Sequence, residues 1–143
     1  MILGINPYLI FDGTGQEAVK FYEKALDAKV NFFQTFGEMP ENPEYSIPAG
    51  AKDRVMHAHL KIGNTDLMIS DTFPGQPLQI GSQVQVSITT NCVEKSQGIF
   101  KQLEDGGQVG MPLQETFWSP AYGSVTDKFG ITWQVSTHVE EEK

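Results

Sequence analysis

What most constrains the fold of this chain is an internal correspondence between its two halves. A shift of 77 residues places Thr14 on Asn91, Glu17 on Glu94 and Leu26 on Leu103. Cap, acidic residue and leucine therefore coincide in two predicted helices. The same shift sets Tyr8 on Gln85, and toward the end of each half the offset falls to about 67, matching Gly63 to Gly130. A longer excursion over residues 38–52 accounts for the difference. Two copies of a β-α-β-β-β unit are the simplest explanation. Each unit would hold a sheet with one apolar face covered by its helix and a second face left open. The expected architecture is α+β: two βαβββ modules forming a curved sheet around a cavity.

Local signals fill in the units. Ile2–Phe11 is rich in strand formers and ends at the turn pair Asp12-Gly13. Thr14 and Glu17 have capping-box spacing, and Ala18, Phe21, Tyr22, Ala25 and Leu26 recur on one helical face. Ala28–Phe36 returns to strand character; residues 38–52, with three prolines, read as an excursion or lid. Strands Arg54–Ile62 and Thr65–Asp71 meet at the Gly63-Asn64 corner. In the second half Gln83–Thr90 alternates, with Val84, Val86 and Ile88 on one side and Gln83, Gln85, Ser87 and Thr89 on the other. Asn91 and Glu94 form a second capping box, before a helix through Ile99, Phe100 and Leu103 to Gly106-Gly107. A broken strand, Gln108–Thr116, precedes a closing hairpin of Tyr122–Asp127 and Ile131–Val139. The expected organisation is one domain over 1–143, with module 1 at about 1–72, a linker at 73–82 and module 2 at about 83–139.

A chain of 143 residues, 39% hydrophobic, can bury a core without disulfides or a structural metal. Eighteen acidic residues against ten basic give a net charge of -8, and the lysines are scattered, which argues against a nucleic-acid partner. Cys92 is the lone cysteine, so no intrachain disulfide forms and a reducing compartment is expected. The N-terminal residues lack a signal-peptide pattern, and no run of 18 apolar residues exists to span a membrane. A cytoplasmic protein is expected.

The open faces draw attention to function. That of Gln83–Thr90 is wholly polar yet uncharged; that of Arg54–Ile62 carries Val55, His57, His59 and Lys61. Neutral hydrogen-bonding groups suit an enclosed, solvated groove; a partly exposed sheet or an oligomer interface is the alternative. His57 and His59 are two residues apart and project to the same side. They either hydrogen-bond within a polar face, contact a substrate with one as general base, or ligate a metal. Glu115, a short step before Phe117 and Trp118, is a candidate general acid or base if partly buried. Trp118 and Tyr122 are candidates for the cavity mouth, and plain core is the competing role for such aromatics. Phe32, Phe33 and Phe36 divide between core and cavity wall by alternation. Cys92 and His138 read as an inert thiol and a surface residue. Asp12, Asp66, Asp71 and Asp127 read as turn or strand-end residues rather than a catalytic cluster.

Several of these segments together resemble a known family. Asn6-Pro7-Tyr8-Leu9, His57-Ala58-His59-Leu60-Lys61-Ile62-Gly63 and Asp66-Leu67-Met68-Ile69-Ser70-Asp71 are similar to the PhnB-like (YjdN-type) proteins. So are Gln114-Glu115-Thr116-Phe117-Trp118 and the run from Tyr122 through Phe129-Gly130 to Trp133. That family lies within the vicinal-oxygen-chelate superfamily of glyoxalases, bleomycin resistance proteins and dioxygenases. The resemblance implies the glyoxalase/dihydroxybiphenyl dioxygenase-like form of the paired-module fold, a U-shaped cavity and a homodimer. Members are often named after a ubiquinone methyltransferase or tied to phosphonate-utilisation genes. This sequence lacks the glycine-rich turn and acidic strand end that a nucleotide-like methyl donor favours.

Active superfamily members commonly hold a divalent metal on the first and last strands of each module. Those slots fall here near Tyr8, Met68, Gln85 and Gln134. A phenol, a thioether and two neutral amides are a poor set for a hard divalent ion. A metal would require a displaced site in which His57 or His59 joins Glu115 or Gln85. The leading function is therefore small-molecule binding, either as a sequestering protein without a metal or as an enzyme of unknown reaction, in a cavity lined by Tyr8, His57, His59, Met68, Gln85, Trp118, Tyr122 and Gln134. The enzyme alternative is a metal-dependent lyase, isomerase or dioxygenase with His57 or Glu115 moving a proton. The third is a structural or interaction protein whose open sheet face is an oligomer contact.

Overall fold

The computed structural model describes residues 1–40 and 46–139, so residues 41–45 of the expected excursion lie outside it. Among the described residues the regular elements are β1 (Tyr8–Phe11), α1 (Gly15–Ala25), β2 (Lys29–Thr35), β3 (Val55–Ile62), β4 (Thr65–Asp71), β5 (Val86–Thr90), α2 (Val93–Glu104), β6 (Gln108–Gln114), β7 (Tyr122–Thr126) and β8 (Thr132–Thr137). Among the described residues no helix is long and apolar enough to cross a membrane. The chain divides into two compact units, Met1–Gln79 and Ile80–Lys143. Each contains one four-stranded sheet, ordered β1-β4-β3-β2 in the first and β5-β8-β7-β6 in the second. In both, the first strand runs parallel to the last and the other pairings are antiparallel. The fold is α+β, built from two βαβββ modules as the repeat predicts.

Amphipathic periodicity explains how each helix seats. In the first unit α1 buries Ala18, Val19, Tyr22 and Ala25 and lies against β3 and β4. Leu9, Phe11, Ala58, Leu60, Leu67 and Ile69 supply the core side of that sheet. In the second, α2 buries Ser96, Ile99, Phe100 and Leu103, while Val125, Trp133 and Val135 come from the sheet. Each large apolar side chain so buried contributes about 1.5–3 kcal/mol.

Four local expectations need correction. Strand β1 begins at Tyr8, not Ile2, and Met1, Ile2, Leu3 and Ile5 are exposed. As an edge strand it is paired by β4 alone; the ladder stops where Met68 N–H donates to the Pro7 carbonyl (3.1 Å), and Pro7 has no N–H to extend it.

Neither capping box forms as expected. Thr14 is the N-cap of α1 but makes no side-chain cap bond; Asp71, at the end of β4, takes the Gly13 and Gly15 N–H groups on Oδ1 (2.7 and 2.9 Å). The N-cap of α2 is the exposed Cys92 rather than Asn91, again with no side-chain cap. There the helix is tied to the sheet through Ser96 Oγ, which bonds Thr90 Oγ1 (2.6 Å) and Thr137 Oγ1 (2.7 Å). Asp71 and Thr137 are equivalent positions, since Phe11 pairs with Asp71 and Thr90 with Thr137. The repeat uses one place for two different bonds.

Those pairings also superpose the first strands at an offset of 79 rather than 77, so Tyr8 corresponds to Ser87, not Gln85. The turn before α1 is one residue longer than that before α2, which accounts for part of the slip. Because the slip is two residues, Gln85 keeps the same face. Strand β5 starts at Val86, leaving Val84 outside the ladder and exposed.

Finally, Val55 does not share the face of His57 and His59. Thr35 pairs with Val55 and Gln34 with His57, so Met56 is an extra bulged residue. The bulge reverses the alternation and sends Val55, fully buried, to the core side with Ala58 and Leu60.

Candidate functional site

The open face of the first unit is built across all four strands. Tyr8 (β1) is the register partner of Met68 (β4), Met68 of His59 (β3), and His59 of Phe32 (β2), placing their side chains on one side. Tyr8 and Phe32 are 43% and 47% exposed, so neither ring serves the core. His57 sits between them: its ring centroid is 5.6 Å from that of Tyr8 and 5.8 Å from that of Phe32. The Tyr8 hydroxyl and His57 Nδ1 are 2.9 Å apart, a hydrogen bond that orients the imidazole and leaves Nε2 for another partner. Phe33 points to the opposite side but stays exposed on the edge strand, while Phe36, one residue past the end of β2, is buried and packs edge-on against Phe73; strand alternation therefore separates Phe32 from Phe33 but does not place Phe36.

His59 has a different partner. Its Nε2 lies 2.9 Å from Asp66 Oδ1, and Lys61 Nζ approaches the same oxygen at 3.4 Å. The hydrogen bond from His59 is the main cause that holds the Asp66 carboxyl below the usual aspartate range, with Lys61 adding to it. A depressed folded value means the contribution is fully present above the ordinary aspartate pKa and is lost as pH falls through the lower folded one. In a carboxyl-detected NMR titration Asp66 is expected to protonate below the exposed aspartates. His59→Leu should move its midpoint up; an unmoved midpoint would show that His59 does not carry the effect.

The second unit presents a neutral network. Tyr122 donates to Gln134 Oε1 (2.8 Å), and Gln134 Nε2 donates to Gln85 Oε1 (3.0 Å). Gln134 pairs in register with Ser87 and Ser124. Trp118 meets Tyr122 edge-on at 5.3 Å and Phe117 meets Trp118 at 4.7 Å, with Phe117 almost wholly exposed. Their loop is held by Ser119, whose buried hydroxyl lies 2.9 Å from both the Ala121 and Thr137 carbonyls, with one proton to give, and accepts the Ala121 and Thr137 N–H groups (3.2 and 3.1 Å). Glu115, just before this loop, is exposed, and His138 is a surface residue.

The expected site residues thus gather into two sets, Tyr8, His57, His59 and Met68 on the first unit's open face, and Gln85, Trp118, Tyr122 and Gln134 on the second. Phe32 was expected only as one of three phenylalanines, and Asp66 as a turn residue. Asp66 was reachable from the sequence: a two-residue turn at Gly63-Asn64 sets Lys61 opposite Asp66 and His59 opposite Met68.

The sequence profile of the Glyoxalase/Bleomycin resistance protein/Dioxygenase superfamily matches residues 4–135. The chain belongs to that superfamily. It is 33% identical over 138 residues to protein YjdN of Escherichia coli K12, covering 92% of this chain and 93% of that one. The crystal structure of PA1353 from Pseudomonas aeruginosa superposes with a TM-score of 0.86 at 36% identity, covering 97% of this chain and 100% of that one. A PhnB protein from Bacillus cereus, titled a putative 3-demethylubiquinone-9 3-methyltransferase, shares the fold at TM-score 0.76 and 23% identity, covering 94% and 98%. So does FosX, a fosfomycin resistance protein of Listeria monocytogenes solved with Mn(II) and a dihydroxypropylphosphonic acid, at TM-score 0.63 and 12% identity over 95% and 93%. That FosX structure holds a metal ion together with a small molecule.

The four residues expected from the sequence at the metal slots do not fit such an ion. The Tyr8 hydroxyl is engaged by His57, Met68 offers a thioether, and both glutamine amide oxygens already accept hydrogen bonds. None of the four carries charge to offset a divalent cation. Among the described residues no group of three or more His, Cys, Asp or Glu is placed to hold a metal ion.

Proposed function

We propose that this protein binds a small organic molecule on the open face of its first sheet, using Tyr8, His57, Phe32 and Met68 as the contact surface. The observation that carries the reading is the ring row: two aromatic side chains stay half-exposed on either side of an imidazole already oriented by the Tyr8 hydroxyl. Aromatic and thioether groups supply contact area at low conformational cost, while His57 Nε2 offers one directed hydrogen bond. Binding is the function; no chemical step is assigned to His57 or Glu115.

The test is protein-observed NMR with naphthoate and naphthylmethanol as probes. Ring resonances of His57 and Phe32 are expected to shift on titration with one or both. Phe32→Ala should weaken binding about 10-fold, in line with the loss of a well-placed aromatic contact. Tyr8→Phe should cost less, since the ring remains and only the orienting hydroxyl is lost. Shifts confined to other surfaces would sink the proposal.

A further inference from the structure

The ring row ends at an arrangement of charge that a bare sheet face does not favour. Lys29 (β2) and Lys61 (β3) are direct register partners on the open side. Like charges directly opposite one another destabilise an antiparallel pair. In this chain acidic residues outnumber basic ones eighteen to ten, yet among the described residues a single carboxylate is ion-paired with the lysine pair. That carboxylate, Asp66, is shared with His59, and Lys29 forms no ion pair among the described residues. A lysine on an edge strand is a common guard against edge-to-edge pairing, which would account for Lys29 on β2. It does not account for Lys61, which stands on the inner strand β3.

We infer that the ligand of this face is an organic anion, its carboxylate held at Lys29 and Lys61 and its flat, apolar body lying on Phe32 and His57. The inference rests on the binding role proposed above and names the class of ligand. The spacing fits. Lys61 and His59 are two residues apart, about 7 Å along the strand, and Phe32 is the partner of His59. A bicyclic acid spans that distance with its charge at the lysines and its ring against Phe32. Among the described residues the other ionisable groups on the face are Tyr8, His57, His59 and Asp66. Asp66, engaged by His59 and Lys61, limits the site to one anionic group rather than several.

The experiment compares naphthoate with naphthylmethanol, which has the same ring and no charge, on the full chain by calorimetry and NMR. Naphthoate is expected to bind at least about 10-fold tighter at low salt, and that advantage should shrink as ionic strength rises. Lys29→Met and Lys61→Met should each lower naphthoate affinity much more than naphthylmethanol affinity and so remove most of the advantage, with unchanged far-UV circular dichroism reporting that the variants are folded. Lys61→Gln serves as a second variant should the methionine perturb the strand. Equal affinity of the two probes, with Phe32 and His57 shifting for both, overturns the anion assignment but leaves the binding role standing. An advantage that persists in the double lysine variant overturns the assignment as well. If neither probe shifts Phe32 or His57, the binding role fails and this inference fails with it.

Discussion

Asp71→Ala is expected to destabilise the first unit by about 3–5 kcal/mol, because one buried carboxylate satisfies three backbone donors and hydrogen bonds to a charged acceptor are each worth about 1.5–3 kcal/mol. Asp71 is 3% exposed; Oδ1 accepts the Gly13 and Gly15 N–H groups and Oδ2 accepts Val55 N–H at 2.7 Å. It thereby holds the start of α1, the end of β4 and the start of β3 together. Asp71→Asn should recover part of the loss, since the amide oxygen still accepts while its NH2 faces a donor. Gly15 belongs to the same arrangement: a Cβ there would lie 2.6 Å from Asp71 Oδ2 and 2.9 Å from Val55 Cγ2. Gly15→Ala should therefore be costly in the native protein and much less so in the Asp71→Ala background, a coupling that a double-mutant cycle measures. Both tryptophans, Trp118 and Trp133, belong to the second unit, so fluorescence is the wrong probe. Urea unfolding followed by far-UV circular dichroism, with hydrogen exchange of the β3 and β4 amides, reads the right unit. A cost below about 1 kcal/mol would show that water replaces the carboxylate.

Trp133→Ala should be comparably severe for the second unit, at about 3–5 kcal/mol for removing a buried large aromatic. Trp133 is 1% exposed, and its Nε1–H donates to Asp127 Oδ2 at 2.8 Å. Asp127 Oδ1 meanwhile accepts Phe129 and Ile131 N–H, shaping the turn between β7 and β8. The tryptophan thus fills the core and also orients the carboxylate that forms the closing turn. Trp133→Phe separates the two roles: it keeps most of the volume and loses the donor, with an expected cost of about 1–3 kcal/mol. The remaining Trp118, half-exposed, gives a fluorescence signal for urea titrations of both variants. If Trp133→Phe unfolds at the wild-type midpoint, the bond from the indole to Asp127 contributes nothing and the turn is held by Asp127 Oδ1 and packing without it.

These two aspartates mark where reading the chain in one dimension ran short. Asp71 and Asp127 have the appearance of strand-end and turn residues, which by position they are. Their weight comes from burial among backbone donors, and for Asp71 those donors lie 16 to 58 residues away. Thr14 and Asn91 have capping-box spacing, yet one helix is capped by a carboxylate from the end of β4 and the other has its N-cap a residue later, at Cys92. Spacing identifies a residue able to cap; it does not reveal a stronger acceptor arriving from elsewhere. Val55 failed for a related reason, since the extra residue at Met56 becomes apparent only once β2 is paired with β3.

The candidate site was legible to the extent that strand alternation is local. His57 and His59 share a face because they are two residues apart, and Gln85 kept its face despite a slip of two in the repeat. The partners were not legible by the same route. Tyr8 reaches His57 across 49 residues, Gln134 reaches Gln85 across the same separation, and Lys29 meets Lys61 through a hairpin interrupted by bulges.

By itself the sequence determined two βαβββ modules, their order, and which side of most strands faces the helix, because hydrophobic period, turn residues and glycine corners act over a few residues. Only the tertiary structure decided which acceptor caps α1, where Val55 points, and which rings and charges stand side by side on the open face. Those depend on strand register and bulges, and a shift of one residue in either exchanges the two faces of a sheet.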